Sequence, residues 1–118
     1  MRRSLTKTQF IRKKDEIDRI FKHGKKVSCE KMRLIYLSND LSYDRIIVIP
    51  ARHFGNSVER NKLRRRIKEI FRNWEGRLIE SDSNSGLDIV LVVYPGKVSD
   101  FSLLEADMKS MLVRLNRK

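Results

Sequence analysis

Apolar residues change their spacing along the chain, and each change marks an element. Ile17, Ile20 and Phe21 stand at i, i+3 and i+4, a helical stripe. Asp15 and Glu16 suit the positive end of that helix, and Lys22 and His23 suit its last turn. Gly24 suits a left-handed C′ position, so a first helix is predicted from Lys14 to His23. Lys25 to Cys29 reads as a short strand, and Met32 to Ser38, "MRLIYLS", as a longer one. "NDLSYD" is a turn, and Arg45 to Ala51, "RIIVIPA", is the next strand. The last two strands are expected to pair as an antiparallel hairpin. Pro50 points to an edge or a strand end.

A second helix is the clearest element. Asn56 with Glu59 three residues later forms a capping-box pattern. Leu63, Ile67, Ile70, Phe71 and Trp74 then fall within one arc of a helix. Leu87 to Tyr94 is nearly continuous apolar sequence, expected as a strand buried on both faces and stopped by Pro95–Gly96. Ser102 with Glu105 suggests a second capping box. Leu103, Leu104, Met108, Met111, Leu112 and Leu115 make the third helix amphipathic. The order is α-β-β-β-α-β-α, an α+β sandwich in which helices pack a small sheet.

Composition narrows the partners. A chain of 118 residues fits one domain, 1–118. The charge is +12, and the pI is about 10.3, which points to nucleic acid or an anionic membrane surface. Residues 1–13 read as a basic arm carrying Arg2, Arg3, Lys7, Arg12 and Lys13, with Lys14 opening the helix. No run approaches the roughly 18 apolar residues of a membrane span, and no apolar block follows the basic start as in a secretory signal. The lone Cys29 excludes an internal disulfide framework and a Cys-cluster zinc site. A soluble cytoplasmic protein is expected.

The charge concentrates in the second helix. Between Arg60 and Arg72, seven of thirteen residues are Lys or Arg, and only Glu69 is acidic. Arg64, Lys68, Asn61, Arg72 and Arg65 project opposite the apolar stripe. Arg60 lies at its border, and Lys62 and Arg66 lie on the other flank. Arg60–Arg64 and Arg64–Lys68 are like-charge pairs at i,i+4, which repel. Either this is an ordinary solvated face, or a polyanion neutralises it. Arginine predominates, and its planar fork grips phosphate and stacks on bases. An interfacial membrane helix would also expose an apolar face, which here is needed for the core.

No catalytic constellation is visible. His23 and His53 are the only histidines, and their spacing shows nothing. The acidic residues Asp15, Glu16, Asp18, Asp82 and Asp88 are scattered and form no two-metal carboxylate cluster. There is no Walker or Gly-rich dinucleotide motif. Phe21 and Tyr36 either line a shallow single-strand cleft or belong to the core. The residues alone describe an RNA- or DNA-binding module.

The stretch "GNSVERNKLRRRIKEIFR" resembles the protein component of bacterial ribonuclease P. That family opens its second helix with Gly-Asn-x-Val-x-Arg-Asn-basic-apolar-basic-Arg. Here those positions are Gly55, Asn56, Val58, Arg60, Asn61, Lys62, Leu63, Arg64 and Arg65. "DEIDRIFKHGKKV" is similar to the family's first helix, with Phe21, Lys22, His23 and Gly24 in place. The resemblance implies a left-handed crossover around the second helix. It implies a subunit of a ribonucleoprotein endonuclease whose catalyst is the RNA, using Mg²⁺ held mainly by RNA and substrate. The partners implied are the ribonuclease P RNA and precursor tRNA, with no membrane and no obligate protein partner.

Carried onto this sequence, Arg60, Asn61, Lys62, Arg64, Arg65 and Lys68 would meet the catalytic RNA. Ile17, Phe21, His23, Ile35 and Tyr36 would meet the single-stranded 5′ leader. No catalytic or metal-ligating residue is expected in the protein. Ile17 stands where the family often has an aromatic residue, Lys62 replaces the motif's middle arginine, and "ARHFGN" replaces the usual Ser-Lys-Lys before Gly-Asn. A non-enzymatic module of ribosomal-protein type is the alternative. A DNA-binding regulator fits less well, because a recognition helix needs its face free for base edges.

Overall fold

The structure, a computed structural model, describes residues 10–29, 31–52, 54–77, 84–94 and 101–115, without the side chains at 101 and 102. Arg2, Arg3, Lys7, His53, Asp82, Pro95, Gly96, Arg117 and Lys118 lie outside the described residues. The elements are α1 (Lys14–His23), β1 (Lys25–Ser28), β2 (Met32–Ser38), β3 (Arg45–Pro50), α2 (Ser57–Arg72), β4 (Leu87–Val93) and α3 (Phe101–Leu112). This is the order that the periodicity predicts.

β4 organises the sheet. All seven of its residues are buried. A strand in that position needs hydrogen-bonding neighbours on both edges, because no water reaches its backbone. β2 pairs with it antiparallel and β3 pairs with it parallel, giving the order β1-β2-β4-β3. The expected β2–β3 hairpin is therefore wrong: β4 lies between the two strands. The intervening loop is tied to the start of β4 instead of forming a tight turn. Asn39 N donates to the Gly86 carbonyl at 3.1 Å, and Leu87 N donates to the buried Asp44 carboxylate at 2.8 Å. β3 is an outer strand, consistent with Pro50. At its free edge Phe10 makes a parallel bridge with Ile46, and Ile11 N donates to the Ile46 carbonyl at 3.1 Å. The end of the N-terminal arm is thus laid along the sheet.

Alternation along the strands divides the core into two faces. Met32, Leu34, Tyr36, Ile46, Val48, Ile89 and Leu91 meet the apolar arcs of α2 and α3. Ile35, Val90 and Val92 face the other way and pack with Ile20 of α1 and Ile11. α2 begins as expected: Glu59 N donates to Asn56 Oδ1 at 2.9 Å, and Asn56 N donates to Glu59 Oε1 at 3.2 Å. Leu63, Ile67, Ile70 and Phe71 are buried, and Trp74 packs just beyond the helix end, 6.3 Å from Phe71 between ring centroids. In α3 two expectations fail. The helix already includes Phe101, so Ser102 lies inside it and is not its N-cap, and Leu103 is exposed. Leu104, Met108, Met111 and Leu112 supply the buried face.

Gly24 is also used differently from the expectation. Its φ is −72° and its ψ 159°, extended backbone and not the left-handed region. The constraint is space. A Cβ there would lie 2.5 Å from the Ile20 carbonyl oxygen and 2.6 Å from Ile35 Cγ2. The end of α1 sits directly on β2.

Candidate nucleic-acid interface

Two surfaces carry the candidate residues. The first is the face of the sheet that α1 covers. α1 packs on β2 and β4. Around the buried residues of that face lie partly exposed ones: Ile17 and Phe21 from α1, Leu37 from β2, Ile47 and Ile49 from β3, then Ala51 and Tyr94. They form an apolar trough with aromatic groups at Phe21 and Tyr94.

The predicted leader-binding set divides across this geometry. Ile17 and Phe21 lie on the trough wall, and His23 is exposed in the last turn of α1. Ile35 shares the face but is fully buried beneath α1, so it supports the trough without presenting a surface. Tyr36 belongs to the opposite face. It is only 5% exposed and packs in the core under α2 and α3, so it does not join the others. A one-residue change of register exchanges these two positions, and "MRLIYLS" is too uniformly apolar to settle which points where. The sequence reading missed Ile47, Ile49 and Tyr94. Ile47 and Ile49 share parity within "RIIVIP", but apolar residues on both parities hide that signal.

An ion-pair network anchors α1 over this face. Arg45 Nε donates to Asp88 Oδ1 at 2.7 Å, and Nη2 donates to Asp88 Oδ2 at 2.6 Å and to Glu16 Oε2 at 3.0 Å. Asn39 Nδ2 adds a bond to Asp88 Oδ1 at 2.9 Å. The hydrogen bonds to Asp88 outweigh the effect of burial and push the Arg45 pKa further up, so the guanidinium stays charged.

The second surface is α2. Asn61, Lys62 and Arg65 are exposed. Arg64 is half-buried and its Nη1 donates to Asn61 Oδ1 at 3.3 Å. Arg60 turns back to the end of β3, donating to the Pro50 carbonyl at 3.3 Å and the Ala51 carbonyl at 3.4 Å. Lys68 places Nζ 4.7 Å from the Phe10 ring centroid, a cation–π contact. Arg60, Arg64 and Lys68 thus line a groove along β3 together with Phe10 and Arg12. Within this set, Arg60 and Lys68 also hold the structure together. Glu69 pairs with Arg72.

Among the described residues no group of three or more His, Cys, Asp or Glu side chains is placed to hold a metal ion. Asp88 and Glu16 are engaged by Arg45. These residues do not fit a Mg²⁺ site of the protein's own. No helix among the described residues is long and apolar enough to cross a membrane.

Comparison with known proteins places this arrangement. The sequence pattern of the family described as Ribonuclease P matches residues 5–116. The ribonuclease P protein component of Borreliella burgdorferi is 37% identical over 110 residues, covering 91% of this chain and 89% of the relative. That of a Thermoanaerobacter species is 30% identical over 116 residues, covering 97% and 92%. The RNase P protein structure from Thermotoga maritima matches with a TM-score of 0.74 at 30% identity, covering 90% of this chain and 96% of that one. The Staphylococcus aureus RNase P protein matches in fold, with a TM-score of 0.75 at 23% identity over 89% and 93%.

Proposed function

The chain belongs to the bacterial ribonuclease P protein family, and from this premise we propose that α2 binds the catalytic RNA while the trough beside α1 holds the 5′ leader of precursor tRNA. The protein is a subunit of the ribonucleoprotein endoribonuclease of tRNA processing, and its partner is the RNA component. A free-standing module of ribosomal-protein type is not favoured.

The observation that carries the proposal is the division of labour between the two faces. α2 spends its apolar arc on the core and leaves Asn61, Lys62, Arg64 and Arg65 outward. The mutual repulsion of Lys62, Arg64 and Arg65 is relieved when RNA phosphates stand opposite them, with release of the RNA's counterions. Arg60 and Lys68 belong to the same surface, braced by the β3 end and by Phe10. On the other face, α1 leaves Phe21, Ile47, Ile49 and Tyr94 partly open. Apolar and aromatic groups on a basic body suit a single strand, because every base has a face to stack and a phosphate to neutralise.

The protein acts in the cytoplasm as one domain, 1–118, with residues 1–13 as a basic arm. Mg²⁺ is assigned to the RNA and the substrate, in keeping with the lack of a group of three or more His, Cys, Asp or Glu side chains placed to hold a metal among the described residues. The test is reconstitution at low Mg²⁺ with a bacterial ribonuclease P RNA and a precursor tRNA carrying a leader. Correct 5′-end cleavage is expected only with both components present. RNA binding without restored cleavage would overturn the proposal.

A further inference from the structure

Two arginines lie on the α1 face of the sheet, and the fold treats them oppositely. Arg45 stands near one end, beside Asp88 in the pairing of β3 with β4. It is neutralised by two carboxylates, Asp88 and Glu16. Arg33 lies on the same face near the other end. Its place follows from register: it pairs with Val92 on β4 and with Ser28 on β1, and Val92 and Ile35 both belong to the α1 side.

Around Arg33 the sheet offers Ser28 and Val92 across the strands, and two residues away along the chain Lys31, just before β2, and Ile35 within it. None of these is acidic. Arg33 is half-buried, and its Nε is buried without a hydrogen-bond partner among the described residues. A buried donor left unsatisfied costs about 1–3 kcal/mol, more when charged. An anionic group brought against the guanidinium offsets that cost through its charge. Ile49 and Tyr94 lie on the same face beside Val92, and both are partly exposed. A guanidinium among aliphatic and aromatic groups is a site for one nucleotide, with the phosphate on the fork and the base on the apolar wall.

We propose that Arg33 binds a backbone phosphate of the single-stranded leader and helps to distinguish precursor from mature tRNA. This rests on the trough being the leader site, and the test keeps the two ideas apart. The holoenzyme is assembled with wild-type protein, Arg33→Gln, Arg33→Lys and Phe21→Ala. Affinities are measured for mature tRNA, for precursor tRNA, and for precursors whose leader phosphates are replaced singly by neutral methylphosphonates.

Arg33→Gln is expected to weaken precursor binding by about tenfold, the equivalent of one charge-assisted contact. Mature tRNA binding stays unchanged. The log K against log salt slope flattens by about 0.7. One methylphosphonate position weakens wild type but not Arg33→Gln, and Arg33→Lys recovers part of the loss. If Phe21→Ala weakens precursor binding and Arg33→Gln does not, the Arg33 site is wrong and the trough stands. If neither changes it, the trough reading falls and this inference with it. Equal loss on precursor and mature tRNA would place Arg33 outside the leader site. Unchanged methylphosphonate sensitivity in Arg33→Gln would remove the phosphate as its ligand. Should Arg33→Gln fold poorly, Arg33→Lys and its methylphosphonate profile decide the matter.

Discussion

At Gly24 the chain leaves α1 and enters β1 at once, under the constraint of contacts with backbone. The nearest atoms to an added Cβ include the carbonyl oxygens of Ile20 and Tyr36, at 2.5 and 3.0 Å, and neither can rotate away. Gly24→Ala is expected to cost about 1–3 kcal/mol, the usual range for overpacking. It should appear as a lower urea midpoint at constant m-value; an unchanged midpoint would show that α1 can lift off β2 freely. The glycine itself was legible in the sequence, but its reason was not. A helix-ending pattern predicts left-handed backbone, whereas the actual requirement is space: the Ile20 carbonyl of α1 itself and Ile35 and Tyr36 of β2 leave no room for a Cβ. The same limit applies to Ile35 and Tyr36 themselves. Each is apolar in an apolar run, so only the pairing with Val90 and Ile89 determines which one faces α1.

At the scale of one element, α2 was readable almost completely. Its cap, its buried arc and its cationic surface all follow from residues a few positions apart. What periodicity could not separate was the work of the individual cations. Arg64→Ala with Arg65→Ala is expected to flatten the salt dependence of RNA binding by about 0.7–0.9 per lost phosphate contact, with little change in thermal stability. An unchanged slope would remove these side chains from the RNA interface. Arg60→Ala should behave differently, because its guanidinium bonds the carbonyls of Pro50 and Ala51. It is expected to lower stability by about 1 kcal/mol in the free protein, before any RNA is added. Equal melting temperatures for Arg60→Ala and wild type would show that the link to β3 contributes nothing.

Across the whole molecule, Arg45 joins three elements through Asp88 on β4 and Glu16 on α1. Asp88→Asn leaves a half-buried guanidinium with Glu16 as its remaining carboxylate. Removing one partner of a buried pair costs about 3–5 kcal/mol, and the exposure of Glu16 and Arg45 places this case towards the lower figure. Chemical denaturation should show that loss, and a variant as stable as wild type would mean that α1 needs no such anchor. The network could not be foreseen: its members are separated by 29 and 43 positions and carry no local pattern.

The sequence by itself determined the number, type and order of elements, the amphipathic faces of α2, and the resemblance to the family, because all of these reside in neighbouring residues. The tertiary structure decided that β4 lies between β2 and β3, that Tyr36 faces away from α1, and that Arg33 is left without a counter-charge among the described residues. These depend on which distant strands pair and in what register. Backbone hydrogen bonding admits many such pairings, and the packing of both sheet faces selects one.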